Sequence, residues 1–252
     1  MRPGRYKIVN LIARSGLLLC LITIGTVYLS GCMYPKEQRQ EKVVTYRESV
    51  DRIQRAMDQF QEEQGILPII TAGIETPRYE KYIIDLDQLN RKGYIDEIPD
   101  TAFEKGGSAY FLVINEEIDP RVKVMDLNTV QRVNDVQRLV DKYRASHGNE
   151  LPAVDGKETY PGLYTVDLPQ IAGKDYPLRS VFSGETLPYL MNGKGQVFVD
   201  YAVDIMQAVD KAGIKPEGDE DLRLILVDQS YFVPVKSLSY HWVKGMPVPQ
   251  VE

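Results

Sequence analysis

Histidine, cysteine, serine and paired carboxylates are the side chains from which most protein active sites are assembled, and in this chain their spacing points away from the common ones. There are two histidines and two cysteines in 252 residues. His147 stands in Ser146-His147-Gly148, where a helix is expected to end, and suits a solvent-facing residue in the field of the helix dipole. His241 lies in Tyr240-His241-Trp242, beside the only tryptophan. Neither has a second histidine at metal-binding spacing, so no zinc or other metal site is expected. Gly-x-Ser-x-Gly, Ser-x-x-Lys and Cys–His nucleophile patterns are missing from the sequence. Ser183-Gly184 reads as a turn, and Gly193-Lys194-Gly195 lacks the upstream spacing of a phosphate-binding loop. The acidic run 217–221 departs from the alternating oxygen-ligand order of a calcium loop. Among 36 acidic residues no carboxylate pair is singled out by its surroundings, so glycosidase-type chemistry has no visible centre.

The cysteines carry a different chemistry. Residues 1–31 hold Arg2, Arg5, Lys7 and Arg14, no acid, and an apolar run over 17–28, the profile of a secretory signal. That run is too short to cross the roughly 30 Å hydrocarbon layer as a stable helix. It ends in Leu29-Ser30-Gly31-Cys32, which resembles the lipobox of bacterial lipoproteins. The resemblance implies that the Cys32 sulfur takes a diacylglycerol, that cleavage makes Cys32 the mature N-terminus, and that palmitate-type acyl chains hold it in a membrane. Two or three such chains, at about 0.8 kcal/mol per buried methylene, give a lasting anchor. Cys20 falls in the discarded leader, so the mature chain has no disulfide and must rest on its apolar core.

Composition narrows the partners. Removing the leader's four bases from the 30 in the chain leaves 26 against 36 acids, a net charge of −10. An acidic surface disfavours nucleic acid and tight electrostatic docking on anionic lipid. About 220 residues remain, enough for one large domain or two small ones.

Those residues repeat a pattern. After a stretch at 32–45 without apolar period, read as a flexible tether, Tyr46, Val50, Ile53, Met57 and Phe60 mark one face of a helix. Gly65 and Pro68 end it. A Tyr-rich segment containing Tyr79, Tyr82 and Asp85-Leu86 follows, then two β-rich runs at 109–114 and 122–127 that read as a hairpin. The second pass repeats the stripe 83 residues on, at Val133, Val136, Val140 and Tyr143, with Gly148 as its stop. Asp167-Leu168 and a hairpin over 187–191 and 196–201, turning at Asn192-Gly193-Lys194-Gly195, complete it. A shorter third pass starts with Tyr201, Ile205, Met206 and Val209, then Gly213 and Pro216, with expected strands at 222–227 and 231–235. The expected fold class is α+β: tandem helix-plus-antiparallel-hairpin units at 46–128 and 129–200, with a partial third unit or C-terminal cap at 201–252. Neighbouring units are expected to share a core.

From Cys32-Met33-Tyr34-Pro35 through the paired units, the chain resembles the YphF-like group, surface lipoproteins of low-GC Gram-positive bacteria. That resemblance implies an address and no activity. A more local similarity, over residues 50–68 and 133–152, is to the head domains of type IV pilins and pseudopilins; the long apolar assembly helix of those proteins is lacking here.

These readings converge on a lipid-anchored protein of the extracytoplasmic face of the cell membrane, without cofactor and without catalysis, that binds or scaffolds an envelope protein. The alternatives are a substrate-binding lipoprotein of an importer and an envelope hydrolase. Sixteen tyrosines suit either shallow interfaces or half-buried strand faces. Tyr240 and Trp242 are the residues put forward for partner contact.

Overall fold

The structure is a computed structural model, and it describes residues 34–70, 72–172, 176–216 and 218–251, with side chains from Thr45 onward. The leader, its cleavage point and Cys32 lie outside the described residues. Residues Met1–Thr45 form one unit and Tyr46–Glu252 a second, compact one.

Helix α1 spans Tyr34–Gln64. The stretch expected as a tether is therefore helical from residue 34. The physical reason is legible in hindsight: Pro35 suits the first turn of a helix, and residues 36–42 are all Lys, Glu, Gln or Arg, strong helix formers that need no apolar period. Further along, Tyr46, Val50, Ile53, Met57 and Phe60 form the buried stripe, and Gly65, at φ +72°, ends the helix in the left-handed region. The chain then crosses the sheet at Ile69 and Ile84, opens a short helix α2 (Leu86–Arg91) and enters the hairpin β1 (Ala109–Ile114) and β2 (Arg121–Asp126).

Asp126 turns the chain directly into α3 (Leu127–Ser146) by accepting from Thr129 N at 2.9 Å. The second copy then adds β3 (Ala153–Tyr160), β4 (Leu163–Val166) and the short helix α4 (Leu168–Ala172). A small pair, β5 (Leu178–Arg179) and β6 (Thr186–Leu187), precedes its closing hairpin, β7 (Tyr189–Asn192) and β8 (Val197–Val199). The sheet order is β3-β4-β7-β8, all antiparallel.

The two copies correspond bond for bond. Ile69 pairs with Ile84 as Ala153 pairs with Val166, and Ile83 pairs with Leu112 as Thr165 pairs with Leu190. Asp85 N donates to Pro68 O at 2.8 Å, and Asp167 N to Pro152 O at 2.8 Å. Each aspartate then caps its short helix, Asp85 accepting from Gln88 N and Asp167 from Gln170 N. Gly148 is left-handed like Gly65, at φ +62°. One expected equivalence fails: Phe60 is fully buried, whereas Tyr143 is half-exposed, stacked on His147 with ring centroids 3.9 Å apart. Its hydroxyl accepts from Gln170 Nε2, a polar contact the phenylalanine site cannot make.

A third copy is present, but its strands are not where the apolar runs suggest. Helix α5 (Ala202–Ala212) ends at Gly213, φ +63°. Residues 222–227 are helical, not extended: α6 (Arg223–Gln229) starts beside Asp221, and Leu222, Leu226 and Val227 make a buried helical face. The hairpin lies later, as β9 (Tyr240–Val243) and β10 (Met246–Pro249). Leu222 N donates to Tyr240 O as Ile84 N donates to Phe111 O.

Residues 231–235, expected as a hairpin strand, instead join the copies together with Lys236. Tyr231 O accepts from Val124 N, Val233 N donates back to Val124 O, and Lys236 O accepts from Val199 N. The segment thus takes up the outer edges of both β2 and β8. Lys123 adds a tie, donating to Val227 O and Ser230 O at the end of α6. Apolar packing follows the same plan. One core lies under the first copy and one under the second and third, while Leu112, Met125, Val227, Val233 and Val235 share a third cluster between the first copy and the C-terminal segment.

Candidate functional site

The richest polar cluster is interior. At the N-terminus of α5, Asp200 accepts from Tyr160 Oη (3.1 Å), Tyr240 Oη (3.0 Å) and Ala202 N (3.0 Å). One turn later Asp204 accepts from Ser180 Oγ at 2.7 Å. Both carboxylates and the serine are buried. The Tyr240 oxygen also accepts from Tyr201 N at 2.9 Å, and Tyr201 Oη donates to Val235 O. Burial, reinforced by Asp200, pushes the Tyr160 and Tyr240 phenols well above their ordinary range, and burial with Asp204 does the same for Tyr201. Every hydroxyl in this cluster aims at a carboxylate or a carbonyl, and the carboxylates sit where a helix dipole favours negative charge. The arrangement fixes the start of α5 between the second and third copies.

This places Tyr240 firmly. It is fully buried, so the expectation that it meets a partner is corrected. The register gives the reason: Tyr240 faces Pro249 as Phe111 faces Val124 and Tyr189 faces Val199, and all three aromatics are core residues of their copy. Trp242 follows it on the same strand face, half-buried against the second core, and remains partly accessible. His241 and Val243 take the opposite face of β9, and Val243 pairs with Met246 at an exposed hairpin tip. His147 caps the end of α3 through Nδ1, 2.9 Å from Tyr143 O. Ser183-Gly184 and Gly193-Lys194-Gly195 are turns. No cluster of metal-ligating side chains occurs among the described residues.

The tyrosines are mostly spent on packing. Tyr79 and Tyr189 are buried, and burial pushes the Tyr189 phenol up to about 12. Tyr82, Tyr94 and Tyr164 are half-buried, with hydroxyls held by Glu116, Glu63 and Glu158.

The two most exposed large apolar side chains among the described residues lie in loops at one end of the first copy. Ile118, at the turn between β1 and β2, is 92% exposed, and Ile74 is 91% exposed. Because 69–70 runs antiparallel to 83–84, and 83 antiparallel to β1, the chain beyond Ile70 leaves the sheet at the same end as the β1–β2 turn. Ile70 is also exposed there. Asn115, Glu116, Glu117, Ile118 and Asp119 line an open depression of about 300 Å³. Glu75 and Glu117 are exposed, Asp119 is held by Arg121 at 2.9 Å, and Lys81 sits over the Tyr82 ring. These isoleucines belong to none of the stripes or strands read from the sequence. Their signal was present: Gly73-Ile74-Glu75 and Glu117-Ile118-Asp119 put an apolar residue in a polar turn, away from any stripe or alternation.

The architecture defines a class, a short array of helix–hairpin copies folded into one body. Within it, residues 46–126 match the family model of the YphF family N-terminal domain, a span that opens on Tyr46 of the buried stripe of α1 and closes on the last residue of β2. The chain is YphF-like through that first copy. Comparisons with curated proteins and with solved structures return no match.

Proposed function

We propose that the protein is a lipoprotein anchored through Cys32 on the extracytoplasmic face of the membrane, where it holds an envelope protein without catalysing a reaction. The exposed isoleucine end of the first copy is the docking surface of this reading. The observation that carries it is the placement of Ile74 and Ile118, each more than 90% exposed, at the same end of one sheet. Ile74 and Ile118 are left almost wholly in water by the fold, and burial against a partner would remove that apolar surface from solvent. The leader and the Leu29-Ser30-Gly31-Cys32 sequence support the address. The buried carboxylates, held by tyrosine and serine hydroxyls, are consistent with structure rather than turnover.

The test is capture by the full-length, membrane-borne protein after in-cell crosslinking, comparing wild type with Ile74→Asp/Ile118→Asp. The double variant is expected to lose an envelope protein that the wild type retains, at an unchanged Tm. Undiminished capture of the same protein removes these isoleucines from the interface.

A further inference from the structure

In each copy, the second hairpin strand lies against the helix that opened the copy, and the contact is chemically matched three different times. Val122 N donates to Gln54 Oε1 at 2.8 Å, while Gln54 Nε2 donates to Pro120 O and to Asp58. The second copy repeats this 83 helix positions later: Val197 N donates to Gln137 Oε1 at 2.8 Å, while Gln137 Nε2 donates to Gly195 O and to Asp141. Each glutamine stands eleven residues before the glycine that ends its helix, and each aspartate four residues after the glutamine.

The third copy changes all three positions together. Counting back from Gly213, the glutamine position is Ala202 and the aspartate position is Met206. On the strand, Trp242 faces Pro247 as Val113 faces Val122 and Met191 faces Val197. Gln250 N donates inward to Ser239 O, so alternation turns residues 249 and 247 outward, the direction in which Val122 and Val197 meet their glutamines. Both outward residues are proline, which has no N–H to offer, and both are buried. Where the helix has no acceptor, the strand has no donor.

We infer that these positions form a pairing code that keeps α5 on its own hairpin and keeps α1 and α3 off it. Three copies of one motif in a single chain compete for one another's partners during folding, and such competition ends in exchanged elements between molecules. Helix α5 laid on β2 or β8 buries an N–H with no acceptor. Helix α1 or α3 laid on β10 buries a glutamine oxygen with no donor. The code separates α5 from the other two helices.

Coupling and refolding together test it on the mature chain. Pro247→Val gives β10 the outward N–H that Val122 and Val197 have, with no glutamine on α5 to accept it, and is expected to lower Tm by several degrees. Adding Ala202→Gln and Met206→Asp is expected to restore most of that loss. The reverse exchange in the second copy, Gln137→Ala with Val197→Pro, gives the same comparison should Pro247→Val prove insoluble. Ala202→Gln/Met206→Asp alone gives α5 the signature of α3. After refolding from denaturant it is expected to yield exchanged dimers on size-exclusion chromatography, where wild type yields monomer. Additive losses in the exchange series overturn the inference. Coupling without exchanged species also overturns it, because the contact is then a local one only.

Discussion

At the scale of single residues, the chain is governed by where its hydroxyls and glycines sit. Gly65 and Gly148 are both left-handed, with open space where a β-carbon would go. Alanine at either is therefore opposed by backbone conformation alone and should cost about 1 kcal/mol, read from equilibrium denaturation. Both glycines were legible from Gly-x-Leu-Pro and its counterpart. The burial of Tyr240 was not, since Tyr240-His241-Trp242 looks the same in sequence whether its aromatics face a core or a partner. Only the register against Pro249, and the demand of Tyr201 N for an acceptor, decide it. Tyr160, Tyr189, Tyr201 and Tyr240 all have phenols raised by burial. A raised folded-state value means that their contribution to stability is fully present below the unfolded value near 10 and is lost as pH rises beyond it. In an alkaline titration followed by phenolate absorbance, these four should ionise only together with unfolding, in one cooperative step above pH 10. Early, reversible ionisation of every tyrosine, these four included, would contradict their placement.

At the scale of elements, helix stripes and polar turns were readable because their periods differ from those of strands. The stripes at 46–60 and 133–140 and the turn at 192–195 stand where periodicity and Asn-Gly chemistry put them. The run 222–227 misled because Leu, Ile and Val in a row fit a buried strand as well as a short helix. Asp221 resolves it, accepting from Arg223 N and ion-pairing with the Arg223 guanidinium at 2.7 Å. Burial alone would raise the Asp221 carboxyl, but hydrogen bonds from Arg223, its charge and backbone N–H groups outweigh that and hold it below the usual range. A depressed value adds stability that is present above the unfolded value near 3.8 and is lost as pH falls through the folded one. Asp221→Asn should therefore lower Tm at pH 7 and flatten its decline in acid, with the two curves meeting at low pH. Parallel curves would contradict the ion pair's role. The segment 231–236 carries no period that distinguishes a hairpin strand from an edge-filling one, so its pairing with β2 and β8 emerges only in the fold. Its backbone bond offers a direct check: Val233→Pro removes the donor to Val124 O and should cost about 1–3 kcal/mol in urea denaturation.

At the scale of the whole molecule, the copies, their matched helix–strand contacts and the segment across their edges make residues 46–252 one compact unit. No helix among the described residues is long and apolar enough to cross a membrane. The proposed attachment rests on Cys32, and the exposed isoleucines of the first copy are the surface proposed for docking. The pattern on which the proposed anchor rests is local in the chain: a basic start, an apolar run and Leu-Ser-Gly-Cys. The isoleucine end was not legible there, because it depends on two separate loops leaving the same end of a sheet. The measurement that bears most directly on the account is intact mass, with N-terminal peptide mapping, of the protein extracted by detergent from membranes. The expected result is a mature chain beginning at Cys32 and carrying a diacylglyceryl group with at least two acyl chains, absent from Cys32→Ser. An unmodified peptide running through Ser30-Gly31-Cys32-Met33 in the membrane-bound protein would contradict it.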